Sequence, residues 1–113
     1  MKNKLGLHAN VWVRDWGREE CVLAVNKTAE LGFDIIEISA PDPKALDIAF
    51  TAAELRKAGI SANLSLGLDA ASDISSGDAP RVRAGEARLR EVIAAAAELG
   101  STHVCGILYS AFQ

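Results

Sequence analysis

Cysteine is scarce and scattered. Cys21 and Cys105 stand far apart, with no Cys-x-x-Cys spacing, which argues against a disulfide framework and against a zinc site. Both are expected as plain core residues. Basic residues are too few and too dispersed for a nucleic-acid surface: 12 Lys and Arg face 15 Asp and Glu, a net charge of −3, without the clustering such a patch requires. Nucleic acid is therefore not an expected partner. The opening MKNKLGLHANVWVRDW is broken by His8, Asn10 and Arg14 after only a few apolar residues. It suits neither a signal-peptide core nor a membrane span, so a cytoplasmic protein without membrane association is expected. A glycine-rich phosphate fingerprint, a His-Glu-x-x-His motif and a serine-nucleophile elbow are also missing. No complete catalytic constellation can be read from the chain.

What is present is an ordinary globular composition: 113 residues, half of them apolar and 24% charged, enough for one small domain spanning 1–113. One phrase recurs. AELGFDIIEIS, ELRKAGISANLSL and AAELGSTHVCGIL each join a helix-like tail to a strand-like run, with Gly32, Gly59 and Gly100 where a helix needs a left-handed residue past its end. Strands are predicted over Leu5–Asn10, Phe33–Ser39, Ile60–Leu66 and His103–Tyr109. The first helix, about Arg18 to Leu31, carries Cys21, Val22, Val25 and Ala29 on one face. The second should start at Asp42 as N-cap with Pro43 as first helical residue, burying Leu46, Ala49, Phe50 and Ala53. The third follows Asp78 and Pro80 and stacks Leu89, Val92, Ile93 and Ala96, with Gly85 costing it roughly 1 kcal/mol against alanine.

The order β-α-β-α-β-α-β, with crossovers long enough for helices, predicts an α/β fold with a parallel sheet. Two architectures fit: an open doubly wound sheet, or an arc of a (β/α)8 barrel. An open sheet covered on both sides should be apolar on both faces. Here Leu5, Leu7, Ile36, Ile38, Leu64, Leu66, Val104 and Leu108 form one oily face. The alternating positions, among them His8, Glu37, Ser39, Asn63, Ser65, Cys105 and Ile107, are smaller and more polar. A barrel lumen whose upper layers line a site fits this better.

Glu37, set among isoleucines, needs a partner because an unpaired charge there would be heavily penalised. At a barrel mouth that partner is a substrate hydroxyl, a cation or a catalytic group; otherwise it is a structural ion pair. His8, near the end of the first strand, suits a substrate hydrogen-bond donor, a general acid or a structural histidine. His103 falls at the opposite strand end and is discounted. Trp12 and Trp16 form either an apolar wall for a sugar ring or loop anchors. The segment GLDAASDISSGDAP is long for a strand-to-helix connection and reads as a lid or as a solvated excursion.

Four stretches together resemble the ketose 3-epimerases of the D-tagatose and D-psicose (allulose) 3-epimerase group, within the xylose-isomerase-like TIM barrels: KLGLHANVWVRDW, LGFDIIEIS, DISSGDAPRVRAG and CGILYSAF. LGFDIIEIS is widespread in that superfamily; the tryptophan-bearing first loop and the Arg-Ala-Gly run point more narrowly. The resemblance implies the N-terminal half of a (β/α)8 TIM barrel, since such enzymes are about two and a half times longer. It implies C3 epimerisation of a ketose by proton abstraction and return through an enediolate, with a divalent metal, manganese or cobalt, whose ligands and both catalytic glutamates lie on later strands. For this chain it implies no catalytic residue and no metal ligand. It implies substrate contacts from His8, Trp16, Ser65 and Ile107, with Glu37 as a supporting polar group. His8 stands where the family often has an aromatic ring, and Ser65 where some members have cysteine, so the pocket is expected to be altered.

A half-barrel leaves strand edges unpaired, so self-association or pairing with a complementary half-barrel is expected, and the 113-residue chain alone should be inactive. Other readings are an inosose or hydroxypyruvate-type isomerase of the same superfamily, or a non-catalytic half-barrel holding a small ligand. A DNA-repair endonuclease relative is disfavoured by the acidic balance.

Overall fold

The computed structural model describes residues 3–112; Met1, Lys2 and Gln113 of the expected 1–113 domain lie outside the described residues. The elements alternate as predicted: β1 (Gly6–His8), α1 (Arg18–Glu30), β2 (Ile35–Ser39), α2 (Ile48–Ala58), β3 (Ser61–Leu68), α3 (Ala79–Leu99) and β4 (Val104–Ala111), with short 3-10 turns at Ala9–Val11 and Pro43–Ala45. All strand pairs are parallel. The spatial order is β1-β2-β3-β4, and this order decides between the two architectures. Each crossover moves one strand in the same direction, and right-handed crossovers then lay every helix on the same face. A doubly wound sheet must reverse direction to cover its second face. None of these strands does, so the sheet is an arc of barrel wall with helices outside.

Burial follows the alternation. Ile36, Ile38, Leu64 and Leu68 are fully buried toward the helices, packed with Val25 of α1 and Val92 of α3, while Ile35, Glu37, Ser39, Asn63, Ser65 and Gly67 between them remain half-exposed. Gly59 and Gly100 close α2 and α3 in the left-handed conformation, as their place after each helix requires.

Several expectations need correction. The first strand is shorter than Leu5–Asn10, because the chain turns into a 3-10 bend at Ala9; Leu5 is 65% exposed and no part of the oily face. The second strand starts at Ile35 and not Phe33, the third runs on to Leu68, and the fourth runs from Val104 to Ala111. Asp42 and Pro43 do form a capped start, with the Asp42 carboxylate accepting the Lys44 N–H, but only of the 3-10 turn. Helix α2 begins five residues later, where Asp47 accepts the Phe50 N–H. That shift rotates its buried face to Thr51, Glu54 and Leu55, leaving Ala49 exposed. In α1 the buried stripe is Cys21, Ala24, Val25 and Thr28, with Val22 outside it, and in α3 Ile93 points outward while Ala95, Ala96 and Leu99 pack.

Candidate functional site on the open face of the sheet

The site begins where β1 ends. His8 caps the following 3-10 turn, its Nδ1 accepting the Asn10 N–H at 3.1 Å. A ring nitrogen that accepts carries no proton, so the neutral imidazole holds its proton on Nε2. Three oxygens surround that Nε2: Ser39 Oγ at 3.4 Å, Ser65 Oγ at 3.5 Å and Glu37 Oε2 at 3.5 Å. All three distances exceed the 2.7–3.2 Å usual for an N–H···O bond, so the donor is surrounded by acceptors without being closely bound to any. Glu37 is engaged at its other oxygen, where Cys105 Sγ donates to Oε1 at 3.1 Å. Partial burial, and then the hydrogen bond to Glu37 and its negative charge, push the Cys105 thiol up to about 11. At neutral pH it is therefore a protonated donor.

Sheet register assembles this cluster. His8, Glu37 and Asn63 are aligned in one row across β1, β2 and β3. Two residues further along each strand, on the same face, Ser39, Ser65 and Cys105 form the next row, and Gly67 with Ile107 the one above. Of the expected site residues, His8, Glu37 and Ser65 are thus brought together. Ile107 lies on the same face one row higher, half-buried beside Gly67. Cys105 is not the plain core residue expected: the alternation of β4 turns it to the open face, whereas Cys21 is buried in the core, 3.7 Å from Thr51 Oγ1.

Trp16 stands in a neighbouring cavity of about 500 Å³, between the loops that follow β1 and β2, whose lining includes Asn10, Arg14, Ser39 and Asp42. Ser39 belongs to both the cavity and the His8 cluster, so the two spaces adjoin. The two tryptophan roles are combined here. Trp16 lines the cavity and is also anchored, its Nε1 donating to the buried Thr51 of α2 at 3.1 Å. Trp12 is an anchor alone relative to this cavity, donating to the fully buried Thr28 of α1 at 3.1 Å. His103 is exposed just before β4, at the opposite end from the site.

The long segment after β3 is held down. Arg88 of α3 donates through Nε and Nη2 to the Pro41 carbonyl, at 3.0 and 2.9 Å, and through Nη1 to Asp69 Oδ2 and Ser72 Oγ, at 3.0 and 3.1 Å. One guanidinium thereby ties the loop after β2 to the loop after β3 at the mouth of the site. Hydrogen bonds from Ser72 and then Arg88 hold the Asp69 carboxyl below the usual carboxylate range. Arg88 does not stand out in the sequence, and Ser39 is visible there only as one polar position of the open face, because the partners of both come from distant segments.

Among the described residues, no group of three or more His, Cys, Asp and Glu side chains is placed to hold a metal ion. The donors near His8 are one imidazole, one carboxylate, two hydroxyls and a protonated thiol, a set suited to hydrogen-bonding neutral polar groups and not to caging a divalent cation. No described helix is long and apolar enough to cross a membrane.

No family model matches the sequence. Relatives do. A ketose 3-epimerase of Arthrobacter globiformis is 40% identical over 110 residues, 97% of this chain, and an L-ribulose 3-epimerase of Methylomonas sp. is 38% identical over 106 residues. This chain is a homologue of the ketose 3-epimerases. It spans only 38% and 37% of the length of those two relatives. The crystal structure of a D-allulose 3-epimerase from Methylomonas sp., in complex with D-allulose, superposes on 96% of the chain with a TM-score of 0.93 at 37% identity, and 38% of that enzyme is covered. Against these TIM-barrel epimerases the four-stranded parallel sheet is a half-barrel.

Proposed function

We propose that this half-barrel supplies one wall of the substrate pocket of a ketose 3-epimerase, with His8, Trp16, Glu37, Ser65 and Ile107 touching the sugar. The observation that carries the reading is the convergence of His8 Nε2, Glu37, Ser39 and Ser65 on the uncovered face of the sheet, beside the Trp16 cavity. A ketose presents hydroxyls that both donate and accept and C–H faces that stack on an indole, and this wall offers partners for both. Proton removal and return at C3 would belong to groups outside this chain, as would the ligands of a manganese or cobalt ion. The chain's own part is to bind and orient the sugar.

We further propose that the half-barrel associates. Among the described residues β1 and β4 are the edge strands of the sheet, and unpaired strand edges seek partners. A second copy or a complementary half would close the wall. The test is to combine the chain with the remaining portion of the Arthrobacter globiformis relative and manganese, isolate the complex, and assay C3 interconversion of a ketose. Interconversion by the complex, absent from either part alone, is the expected result; a well-assembled complex without activity would refute the proposal.

A further inference from the structure

The long contacts around His8 have a direction. Asn10 N–H occupies Nδ1 and so places the imidazole proton on Nε2. At the far end, Cys105 S–H occupies Glu37 Oε1 and leaves Oε2 turned toward His8. The pair therefore presents one fixed donor and one fixed acceptor, 3.5 Å apart, with each outer atom committed to another partner. Both side chains are about one-third exposed on the open face, so a ligand can reach them. A hydroxyl is the complement of such a pair: it accepts from Nε2–H and donates to Oε2, replacing one stretched contact with two close ones.

We propose that His8 and Glu37 act together as a reader of one particular hydroxyl of a polyol substrate, and that Cys105 is the positioning residue that aims the carboxylate. The identification of the polyol as a ketose rests on the function proposed above; the direction of the pair does not. Ser39 and Ser65 flank the Nε2 and supply alternative acceptors when the hydroxyl is absent. The high thiol value of Cys105 fits this arrangement, because both hydrogen bonding to Glu37 and its charge contribute.

The test is nitrogen-15 NMR of the His8 ring in the 113-residue chain, titrated with a ketohexose and its monodeoxy counterparts. Nε2 should carry the proton and Nδ1 should not. The ketohexose should shift the His8 signals, and one monodeoxy sugar should do so about tenfold more weakly or worse, the usual scale for losing a hydrogen bond to a charged group. Cys105→Ala should erase that discrimination, whereas Cys105→Ser, which keeps a donor, should restore it. In Glu37→Gln the Cys105 thiol should titrate lower than in the wild type, confirming that the two groups are joined in solution. A proton on Nδ1, equal or absent shifts across the sugar series, or unaltered discrimination in a folded Cys105→Ala variant would each overturn the proposal. Discrimination by the chain together with an inactive reconstituted complex would remove the epimerase reading and leave the pair standing.

Discussion

Gly85 of α3 lies so close to the backbone of Ser72 that no β-carbon fits between them. One built at position 85 would collide with the Ser72 carbonyl oxygen and stand 2.6 Å from Ile74 Cγ2. Helix propensity alone says that alanine here should add about 1 kcal/mol of stability. The packing says the reverse. Gly85→Ala should lower stability by about 1–3 kcal/mol, the usual range for overpacking, read as a fall in the urea midpoint at unchanged slope. A rise in the midpoint would show that the loop does not sit on α3 as described.

Thr51 is 2% exposed and its hydroxyl accepts from Trp16 Nε1. Thr51→Val keeps the shape and removes the acceptor, leaving a part-buried indole N–H unpaired. The expected cost is about 1–3 kcal/mol, with a change in Trp16 fluorescence reporting the lost bond. Thr28→Val should act in the same way through Trp12. A loss below about 0.5 kcal/mol in both variants would mean that the tryptophans are not anchored by these threonines.

Three carboxyls are held below the usual carboxylate range: Asp47 by hydrogen bonds from Arg18 and the Phe50 N–H, Asp69 by Ser72 and Arg88, and Asp73 by Ser75. A depressed folded-state value means that the native chain favours the ionised form more than the unfolded chain does. The resulting stability is fully present above the unfolded value, about pH 4, and is lost as pH falls through the lower folded values. All three groups are solvent-exposed, so each effect is small. Melting temperature measured downward from pH 5 should decline, and Arg88→Ala should make the decline shallower by returning Asp69 toward its ordinary value. An identical slope in Arg88→Ala would contradict the Asp69 contact. Hydrogen exchange should also quicken in segments 40–47 and 69–78 of that variant, since Arg88 ties both.

The open edges make a prediction about assembly. Sedimentation should show association of the chain that strengthens with concentration. A folded monomer persisting at high concentration would mean that the β1 and β4 edges are shielded in some other way.

Much of the fold was readable because its signals are local. A glycine past each helix, and strands alternating between Ile36, Ile38 and Glu37, Ser39, need no distant partner to be recognised. The start of α2 was misread for an equally local reason: Asp42 with Pro43 satisfies the capping rules, and Asp47 satisfies them again five residues later. Only tertiary packing of Thr51 and Leu55 selects the second. The polar residues of the open face, His8, Glu37 and Ser65, were legible one at a time. Its connections were not. The alternation that turns Cys105 to the open face was available in the sequence, but the register of β4 against β3, which sets it beside Ser65 and delivers its thiol to Glu37, is a relation between strands. Arg88 and Gly85 were hidden in the same way, one reaching across to Pro41 and Asp69 and the other defined by what Ser72 requires.

The most direct measurement is a crystal structure of the reconstituted barrel with a ketose bound. The expected result is a sugar hydroxyl within hydrogen-bonding distance of both His8 Nε2 and Glu37 Oε2, with Trp16 against the sugar's carbon face. A ketose bound productively elsewhere in the lumen, with His8 and Glu37 facing only water or each other, would contradict the role given to this wall.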